Sequence, residues 1–314
     1  MNHRVLLLLV ALVGGGCLSQ SRAQSAGRPG NLRFTPGASN EFSFDTGMLR
    51  GKLRADGRST GLSSVVHIAS GTRLDRSMGL CGHYRVFSAN HRYGTAAWDW
   101  ASQATLTPDG AVEVRWTQAA DRPFELRALY RWAARDALEV DTIVQAKIDL
   151  PQFESFLASY FAEGFTNASA YVRQSPGTEG KPGFMRAEPS SGTWLAFPRD
   201  DQAVSIIEDG RWKFEPNPVD WVIMPRLAGP LGLRRCPGNG VTCVLMSSPR
   251  DCFALMTPFE AEPHYSMYLS LFGRDLKAGE VAKARVRLVI GQKLFPEGVI
   301  QLFQRYLQTA KQGP

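Results

Sequence analysis

The sequence has few cysteines, no long apolar run and no basic cluster. Five of its 314 residues are cysteine, too few for a small disulfide-stapled scaffold. No segment approaches the ~18 consecutive apolar residues of a membrane-spanning helix, so the sequence predicts no transmembrane segment. The 36 Lys and Arg residues, against 29 acids, nowhere form a run of five or more. The sequence therefore predicts no nucleic-acid partner.

Motifs of several enzyme classes are also missing. There is no G-x-S-x-G around a serine, no Walker A sequence and no G-x-G-x-x-G before a helical pattern, which argues against a serine hydrolase and a nucleotide cofactor. C-x-x-C and paired histidines at ligand spacing are absent as well. The sequence therefore predicts neither a metal site nor a cofactor.

The first residues are typical of a secretory signal. Arg4 precedes the short apolar run 5–13, which is far shorter than the ~20 residues that a bilayer requires. Ser21 and Ala23 are small residues at the positions expected before a cleavage site. We therefore predict a signal peptide over 1–23 and an exported protein, periplasmic or extracellular.

A lipoprotein signal is the alternative interpretation, with Cys17 as the lipidated residue. Gly14 stands where such signals usually carry leucine, so the sequence favours the secretory signal. The Ser-, Gly- and Pro-rich stretch that follows predicts a flexible leader over 24–40.

Two-residue alternation dominates the chain from residue 41 onward. Val112, Val114 and Trp116 share one face of an extended segment, and 124–132 continues the pattern over nine residues. Asp-Gly and Asn-Gly pairs between such segments indicate hairpins, so about 16 mostly antiparallel strands are predicted. Further alternating segments are 48–54, 62–68, 83–87, 138–144, 193–197, 203–208, 219–224, 242–246, 252–256, 266–272 and 282–290.

So many antiparallel strands indicate one all-β domain over 41–295, either a very large antiparallel sandwich or a large barrel. The C-terminal segment 296–314 differs, because its apolar positions 299, 302, 303, 306 and 307 lie on one helical face. We predict an amphipathic helix there that covers an open end or an edge of the sheets.

Two cysteines flank a turn. Cys236 and Cys243 lie on either side of Pro-Gly-Asn-Gly at 237–240, and a hairpin there could place the two sulfur atoms opposite one another. The sequence predicts a disulfide between them, with free buried thiols as the alternative.

Two stretches of the sequence resemble the galactose mutarotase-like β-supersandwich group. They are FDTGMLRGKLRADG at 44–57 with Gly61-Leu62, and HYSMYLSLFGRDLKAGE at 264–280 followed by ARVRLVI at 284–290. The resemblance implies a large antiparallel β-supersandwich, a fold that serves aldose epimerases and occurs as a domain in many glycoside hydrolases and polysaccharide lyases. The chain lacks the Asn-His-x-Tyr-Phe-Asn-like segment of the epimerases, which argues against mutarotase activity. It also resembles exported bacterial proteins of no assigned activity.

Ionisable and aromatic residues are densest over 83–100. Sugar sites combine flat aromatic faces with charged or amide groups at the hydroxyls, and this segment supplies both. In the alternative interpretation its tryptophans belong to the core and its polar residues form a rim.

A second cluster is 258–265, where His264 follows Glu260 and Glu262. A histidine beside a carboxylate can act as an acid and base pair, although a polar loop is the alternative. Trp212 lies among acidic turn residues and is a candidate for stacking on a sugar ring.

These clusters suggest an exported protein that binds or processes a poly- or oligosaccharide by lysis, hydrolysis or epimerisation. A non-catalytic module of the periplasm or cell surface is the alternative. In the enzyme hypothesis, one group of residues transfers protons and another holds or stacks on the sugar. The proton-transfer residues are His91, His264, Glu262 and Tyr93, and the substrate-binding residues are His83, Arg85, Arg92, Trp98, Asp99, Trp100 and Trp212.

Overall fold

A computed structural model describes most of the chain after residue 30. The predicted signal peptide, Cys17 and most of the predicted leader lie outside the described residues. Within the described residues, no helix is long and apolar enough to cross a membrane. The described ranges are 31–37, 41–54, 60–76, 78–89, 91–177, 179–260 and 262–311.

The described part of the chain contains 21 strands and two α-helices. In chain order they are β1 Thr35–Pro36, β2 Glu41–Asp45, β3 Leu49–Arg54, β4 Gly61–His67, β5 Thr72–Arg73, β6 Gly82–Ser88, β7 His91–Arg92, β8 Gln103–Leu106, β9 Val112–Trp116, β10 Phe124–Ala134, β11 Ala137–Ala146, β12 Leu150–Tyr160, β13 Asn167–Val172, β14 Gly183–Arg186, β15 Trp194–Pro198, α1 Asp201–Ile207, β16 Val222–Ile223, β17 Leu227–Arg235, β18 Val241–Ser247, β19 Cys252–Pro258, β20 Ser266–Leu276, β21 Val281–Gln292 and α2 Pro296–Lys311.

The strands form three sheets. A nine-stranded sheet has the order β14-β13-β17-β18-β21-β11-β10-β9-β8, a seven-stranded sheet the order β16-β15-β19-β20-β12-β6-β7, and a five-stranded sheet the order β1 to β5. The short pair β15 and β16 is parallel, whereas the long strands pair antiparallel. The predicted all-β fold of antiparallel sheets is therefore confirmed, and of the two predicted architectures the structure has the sandwich.

The main core lies between the nine-stranded and seven-stranded sheets. Leu126, Ala128 and Tyr130 on β10 are fully buried, because every second side chain of a strand points to the same face. Phe124 on β10 lies with its ring centroid 5.4 Å from that of Phe153 on β12. Contacts of this kind across the two sheets exclude water and supply most of the hydrophobic stabilisation.

The opposite face of the seven-stranded sheet is buried as well. Residues 199–221, here named the covering segment, pass over it and place Trp212 against Phe156 of β12, with ring centroids 4.7 Å apart. Arg211 of the same segment binds the carboxylate of Glu154 on β12 at 2.9 Å, and both side chains are fully buried. The covering segment thus buries the part of this face that is formed by β12.

The predicted strand over 203–208 is wrong, because the structure has helix α1 there. The side chain of Asp200 accepts a hydrogen bond from the backbone N–H of Ala203 and caps the helix. Ala203, Ile206 and Ile207 then lie on one face and pack on the sheet. These three residues are three and four positions apart, which is the spacing of one face of a helix, so the same short segment is compatible with a helix and with a strand.

Helix α2 covers a face of the nine-stranded sheet, whereas the sequence predicted that it would cover an end or an edge. Val299, Phe303 and Tyr306 are buried against residues of β17, β18 and β21. The Tyr306 hydroxyl donates to the backbone carbonyl of Arg285 at 3.0 Å. The helix therefore shields apolar residues that point away from the main core.

The predicted disulfide between Cys236 and Cys243 is not formed. The hairpin exists, but its register sets Cys243 opposite Arg234, and the backbone N–H of Cys236 donates to Val241. The two cysteines are therefore not opposite one another. All four cysteines in the described ranges are free thiols, and Cys236 is the one that is partly exposed.

Candidate functional site

An open cleft of about 220 Å³ lies at one margin of the covered face. Here named the His264 cleft, it is lined by Arg76, Met78, Tyr160, Pro263 and His264. Tyr160 is the last residue of β12. Its carbonyl accepts from the backbone N–H of Arg76 at 2.9 Å, while Pro263 and His264 come from the loop between β19 and β20. The cleft is therefore built from three separate parts of the chain.

A buried arginine supports the loop that carries His264. Arg234 of β17 is fully buried and donates to the carbonyls of Phe165, Glu260 and Ser266 at 3.0–3.2 Å. It also donates to the hydroxyl of Thr257 at 3.1 Å. Burial lowers the pKa of Arg234 to about 10, so the side chain remains charged at neutral pH. These charge-assisted bonds hold both ends of the loop.

His264 and Glu262 form a closely bonded pair. Nδ1 of His264 lies 2.8 Å from Oε1 of Glu262, and the backbone N–H of His264 donates to Oε2 at 2.8 Å. The Glu262 side chain is 11% exposed, whereas that of His264 is 53% exposed. The carboxylate therefore orients the ring and leaves Nε2 as the nitrogen that can exchange a proton with a ligand.

Tyr160 lines the same cleft and is bonded through its hydroxyl to a second tyrosine. Its oxygen accepts a hydrogen bond from the hydroxyl of Tyr268 at 3.4 Å. Burial raises the pKa of Tyr160 well above its ordinary value, and burial raises the pKa of Tyr268 to about 12. Both phenols are therefore protonated at neutral pH, and Tyr160 can act as a hydrogen-bond donor.

Stacked rings lie behind Tyr160. The rings of Tyr84 and Trp98 are 4.4 Å apart and nearly parallel, and the ring of Trp98 is 6.2 Å from that of Tyr160. Trp98 is only 5% exposed. It therefore supports the wall of the cleft and does not offer an open face to a ligand.

The structure separates the residues of 83–100. His83 is fully buried between the two large sheets, where its Nε2 lies 3.0 Å from the hydroxyl of Thr142 and its ring packs on Trp116. Burial lowers the pKa of His83 to about 3. The side chain is a neutral part of the core and does not face the cleft.

Tyr93 and Trp100 also belong to the core. Tyr93 is 6% exposed, with its ring 4.9 Å from that of Phe124. Trp100 is 7% exposed and carries the guanidinium of Arg122 above its ring at 4.4 Å. Asp99 is exposed at the end of a 3-10 turn.

Arg85 and Arg92 lie beneath residues 214–217 of the covering segment. Arg85 is 2% exposed, with its guanidinium 5.2 Å from the ring of Trp212. Trp212 itself is 2% exposed. Arg92 donates to the carbonyls of Phe214 and Pro216 at 3.2 and 2.9 Å. Both arginines hold this stretch of the covering segment through its backbone.

The two histidines predicted to exchange protons lie at opposite ends of the seven-stranded sheet. His91, on the edge strand β7, pairs with Ser88 of β6. The residue before Ser88, Phe87, pairs with Glu154 of β12. His264 lies two residues before Ser266, which pairs with Tyr160. Six residues along β12 separate these positions, or about 20 Å. The structure brings together Glu262 and His264, and it leaves the exposed His91 apart.

Sequence reasoning did not identify three residues of this region. Arg76 and Tyr160 line the cleft, and Trp194 lies with its ring 5.1 Å from that of His264. Trp194 begins a strand that the alternation did predict, so the sequence could have identified it as an aromatic residue at a strand end. Arg76 and Tyr160 meet only through strand pairing, which no local pattern reveals.

Comparison with solved structures shows what this chain is similar to in fold. No protein-family model matches the chain, and no curated protein matches it in sequence. Slr1438 from Synechocystis sp. PCC 6803 is 13% identical with a TM-score of 0.52, over 84% of this chain and 99% of that one. A quadruple mutant of the α-N-acetylgalactosaminidase NagBb from Bifidobacterium bifidum is 11% identical with a TM-score of 0.51, over 82% of this chain and 38% of that one.

A galactose 1-epimerase from Lactobacillus acidophilus NCFM also matches, at 10% identity and a TM-score of 0.48, over 83% of this chain and 98% of that one. At such identities the likeness is one of fold alone. The likeness in fold to Slr1438 and to NagBb, at TM-scores of 0.52 and 0.51, agrees with the large β-sandwich that the sequence resemblance implied.

The described side chains also bear on which chemistry the region can support. Among the described residues, no three His, Cys, Asp or Glu side chains come together as a metal-binding group. The residues that line the His264 cleft include an imidazole, a neutral phenol and a guanidinium, and the Glu262 carboxylate orients the imidazole from outside this lining. These groups suit proton transfer and hydrogen bonding to a ligand rich in hydroxyls.

Proposed function

We propose that this protein is exported and that it binds and processes a carbohydrate in the His264 cleft. The single observation that supports the proposal most strongly is the His264–Glu262 pair, with both of its hydrogen bonds at 2.8 Å, at the wall of an open cleft. A carboxylate-oriented imidazole suits acid–base chemistry at a sugar carbon. Export is supported by the signal-like residues 1–23.

Each cleft residue has a role in this proposal. Nε2 of His264 takes a proton from the sugar or returns one, and Glu262 stabilises the imidazolium that forms. Tyr160 donates a hydrogen bond to a ring or leaving oxygen. Arg76 faces the same cleft, where its guanidinium can bind hydroxyls or a sugar carboxylate.

The test is a glycan screen of the purified mature chain, with binding read by saturation-transfer NMR and turnover by product release. His264→Gln is expected to reduce turnover of a confirmed glycan by about 100-fold or more, because general acid–base catalysis contributes about 10²–10⁴-fold. Glu262→Gln is also expected to reduce turnover, because the imidazole loses the charged group that orients it.

Glu163→Gln is the matched control, because it removes one exposed carboxylate outside the cleft. Unchanged binding and turnover in both His264→Gln and Glu262→Gln would refute the proposal. Binding that depends on His264 without turnover of any glycan would favour the non-catalytic binding module.

A further inference from the structure

A second cavity of about 270 Å³ lies inside the covering segment, away from the His264 cleft. Here named the Trp212 cavity, it is smaller than the ~300–1,000 Å³ of a typical small-molecule site, as the His264 cleft also is. Each of them therefore suits a group about as large as one sugar ring. The Trp212 cavity is lined by Ile207, Glu208, Gly210, Trp212, Lys213, Val219, Asp220 and Trp221.

Two indole N–H groups at this cavity have no acceptor. Nε1 of Trp212 and Nε1 of Trp221 are buried and find no hydrogen-bond partner among the described residues. Trp212 is 98% buried by area, at 2% exposure. Both nitrogens are covered by protein atoms, so they lie within the aromatic wall and are not open to the cavity. Contacts with a bound molecule would therefore come from exposed ring surface and from the rim.

Charged groups at the cavity add polar contacts. The Lys213 ammonium and the Asp220 carboxylate form an ion pair whose side chains are 63% and 86% exposed. Trp212 is buried and supports the wall from behind, whereas Trp221 keeps exposed surface at the cavity. An accessible aromatic wall with a few donors and acceptors at the rim is the combination that recognises sugar rings.

An aromatic track connects the two cavities. The ring of Trp212 is 5.3 Å from that of Trp221, which is 5.9 Å from that of Trp194, which in turn is 5.1 Å from that of His264. Trp194 and Trp221 are half-buried, so each keeps an accessible part of its surface. The path along the rings is about 16 Å, more than one sugar ring spans.

We propose that the Trp212 cavity is a second subsite for the same ligand, and that this ligand is an oligosaccharide of several units. The inference rests on the proposed function, because it takes the His264 cleft as the place where one sugar unit is bound. One unit occupies the cleft, the following units lie along Trp194 and Trp221, and a further unit enters the Trp212 cavity.

The test compares ligand length. Affinities of the parent chain are measured by calorimetry for glucose and β-1,4-linked gluco-oligosaccharides of two to five units, and for galacturonate and α-1,4-linked oligogalacturonates of the same lengths. In the series that binds, affinity is expected to rise about tenfold or more between one and four units. Trp221→Ala is expected to remove most of this rise and to leave affinity for the single unit unchanged.

Two further variants keep the result interpretable. Lys213→Ala changes a largely exposed side chain of the same cavity and is expected to reduce the rise without affecting folding. Phe295→Ala changes an exposed aromatic residue beside helix α2. It is expected to change neither the affinity for a single unit nor the rise in affinity with ligand length. A rise in affinity that is the same in Trp221→Ala and Lys213→Ala as in the parent, or no rise at all, would overturn the second subsite.

Failure of the inference and failure of the proposed function are distinguishable. If His264→Gln weakens binding of the single unit and length has no effect, the cleft remains a carbohydrate site and the Trp212 cavity is excluded as a subsite. If the parent chain binds neither series, the length test is repeated with the glycan that the screen identifies. If His264→Gln leaves single-unit binding of that glycan unchanged, both proposals are wrong.

Discussion

The two faces of the seven-stranded sheet are made by the same strands and carry different chemistry. On the inner face, Leu157 and Leu269 pack against the nine-stranded sheet in the main core. Their neighbours in sequence, Phe156 and Tyr268, point to the other face, where their rings stack 4.6 Å apart beneath the covering segment. The inner face is mainly apolar packing, and the outer face is aromatic with buried charge.

The difference shows where this fold can hold a binding site. The inner face is sealed between two sheets, so a ligand cannot reach it. The outer face is covered by a segment that contacts it through Arg211 and Trp212. Open space remains beside that segment at the His264 cleft and within it at the Trp212 cavity. Aromatic rings on this face can therefore serve both packing and recognition.

The largest expected change in the free energy of unfolding follows from breaking the ion pair between the covering segment and β12. Arg211→Met leaves the Glu154 carboxylate fully buried without its partner, and removing one partner of a buried pair costs about 3–5 kcal/mol. We expect a loss of this size in the free energy of unfolding measured with urea. The double variant Arg211→Met with Glu154→Leu is expected to be markedly more stable than the single one.

A surface pair provides the control for this experiment. Arg274 and Glu280 are 46% and 30% exposed at their side chains, and Arg274→Met is expected to cost less than about 1 kcal/mol. A cost for Arg211→Met no greater than that for Arg274→Met would show that the covering segment is not held by this ion pair.

A smaller effect is expected on the inner face and depends on pH. Burial lowers the pKa of His83 to about 3, against about 6.5 in the unfolded chain. Between these values the unfolded chain binds a proton that the folded chain does not, so stability falls as pH falls below about 6.5. The contribution of this one group is at most about 1.4 kcal/mol per pH unit.

His83→Gln removes the titrating group and keeps an amide that can bond the hydroxyl of Thr142. Urea unfolding at pH 7.5, 6.5, 5.5 and 4.5 is expected to show a steeper loss of stability in the parent chain than in His83→Gln. Equal slopes would mean that His83 is not held in its neutral form between the sheets.

The smallest effect is expected at His91, on the exposed edge strand β7. His91→Ala is expected to change the free energy of unfolding by less than about 0.5 kcal/mol and to leave glycan binding unchanged. A large loss of binding in His91→Ala would move the site from the His264 cleft back to the segment 83–100.

Local patterns predicted most of the fold. Alternation at Val112, Val114 and Trp116 corresponds to β9, and the apolar positions of 296–314 correspond to α2. The prediction failed at 203–208, where the Asp200 carboxylate accepts a capping hydrogen bond from the backbone N–H of Ala203 and favours a helix. It also failed for Cys236 and Cys243, because the hairpin register was not visible in the spacing.

The candidate site was less predictable than the fold. Glu262 and His264 are two residues apart, and their pairing follows from their proximity in the chain. His83 and Trp98 come from one dense segment, yet His83 points from strand β6 into the core, whereas Trp98 lies in a 3-10 turn that packs on the outer face. Residue type alone does not reveal this, because polar and aromatic residues occur on both faces.

Periodicity and turn chemistry were enough to specify an antiparallel β protein with a terminal helix, because both depend on neighbouring residues and on the two-residue repeat of a strand. The long-range pairing of β12 with β6 and β20, and the docking of the covering segment, decided which side chains meet. Those contacts join residues far apart in the chain, and only the folded structure sets their distances, burial and protonation.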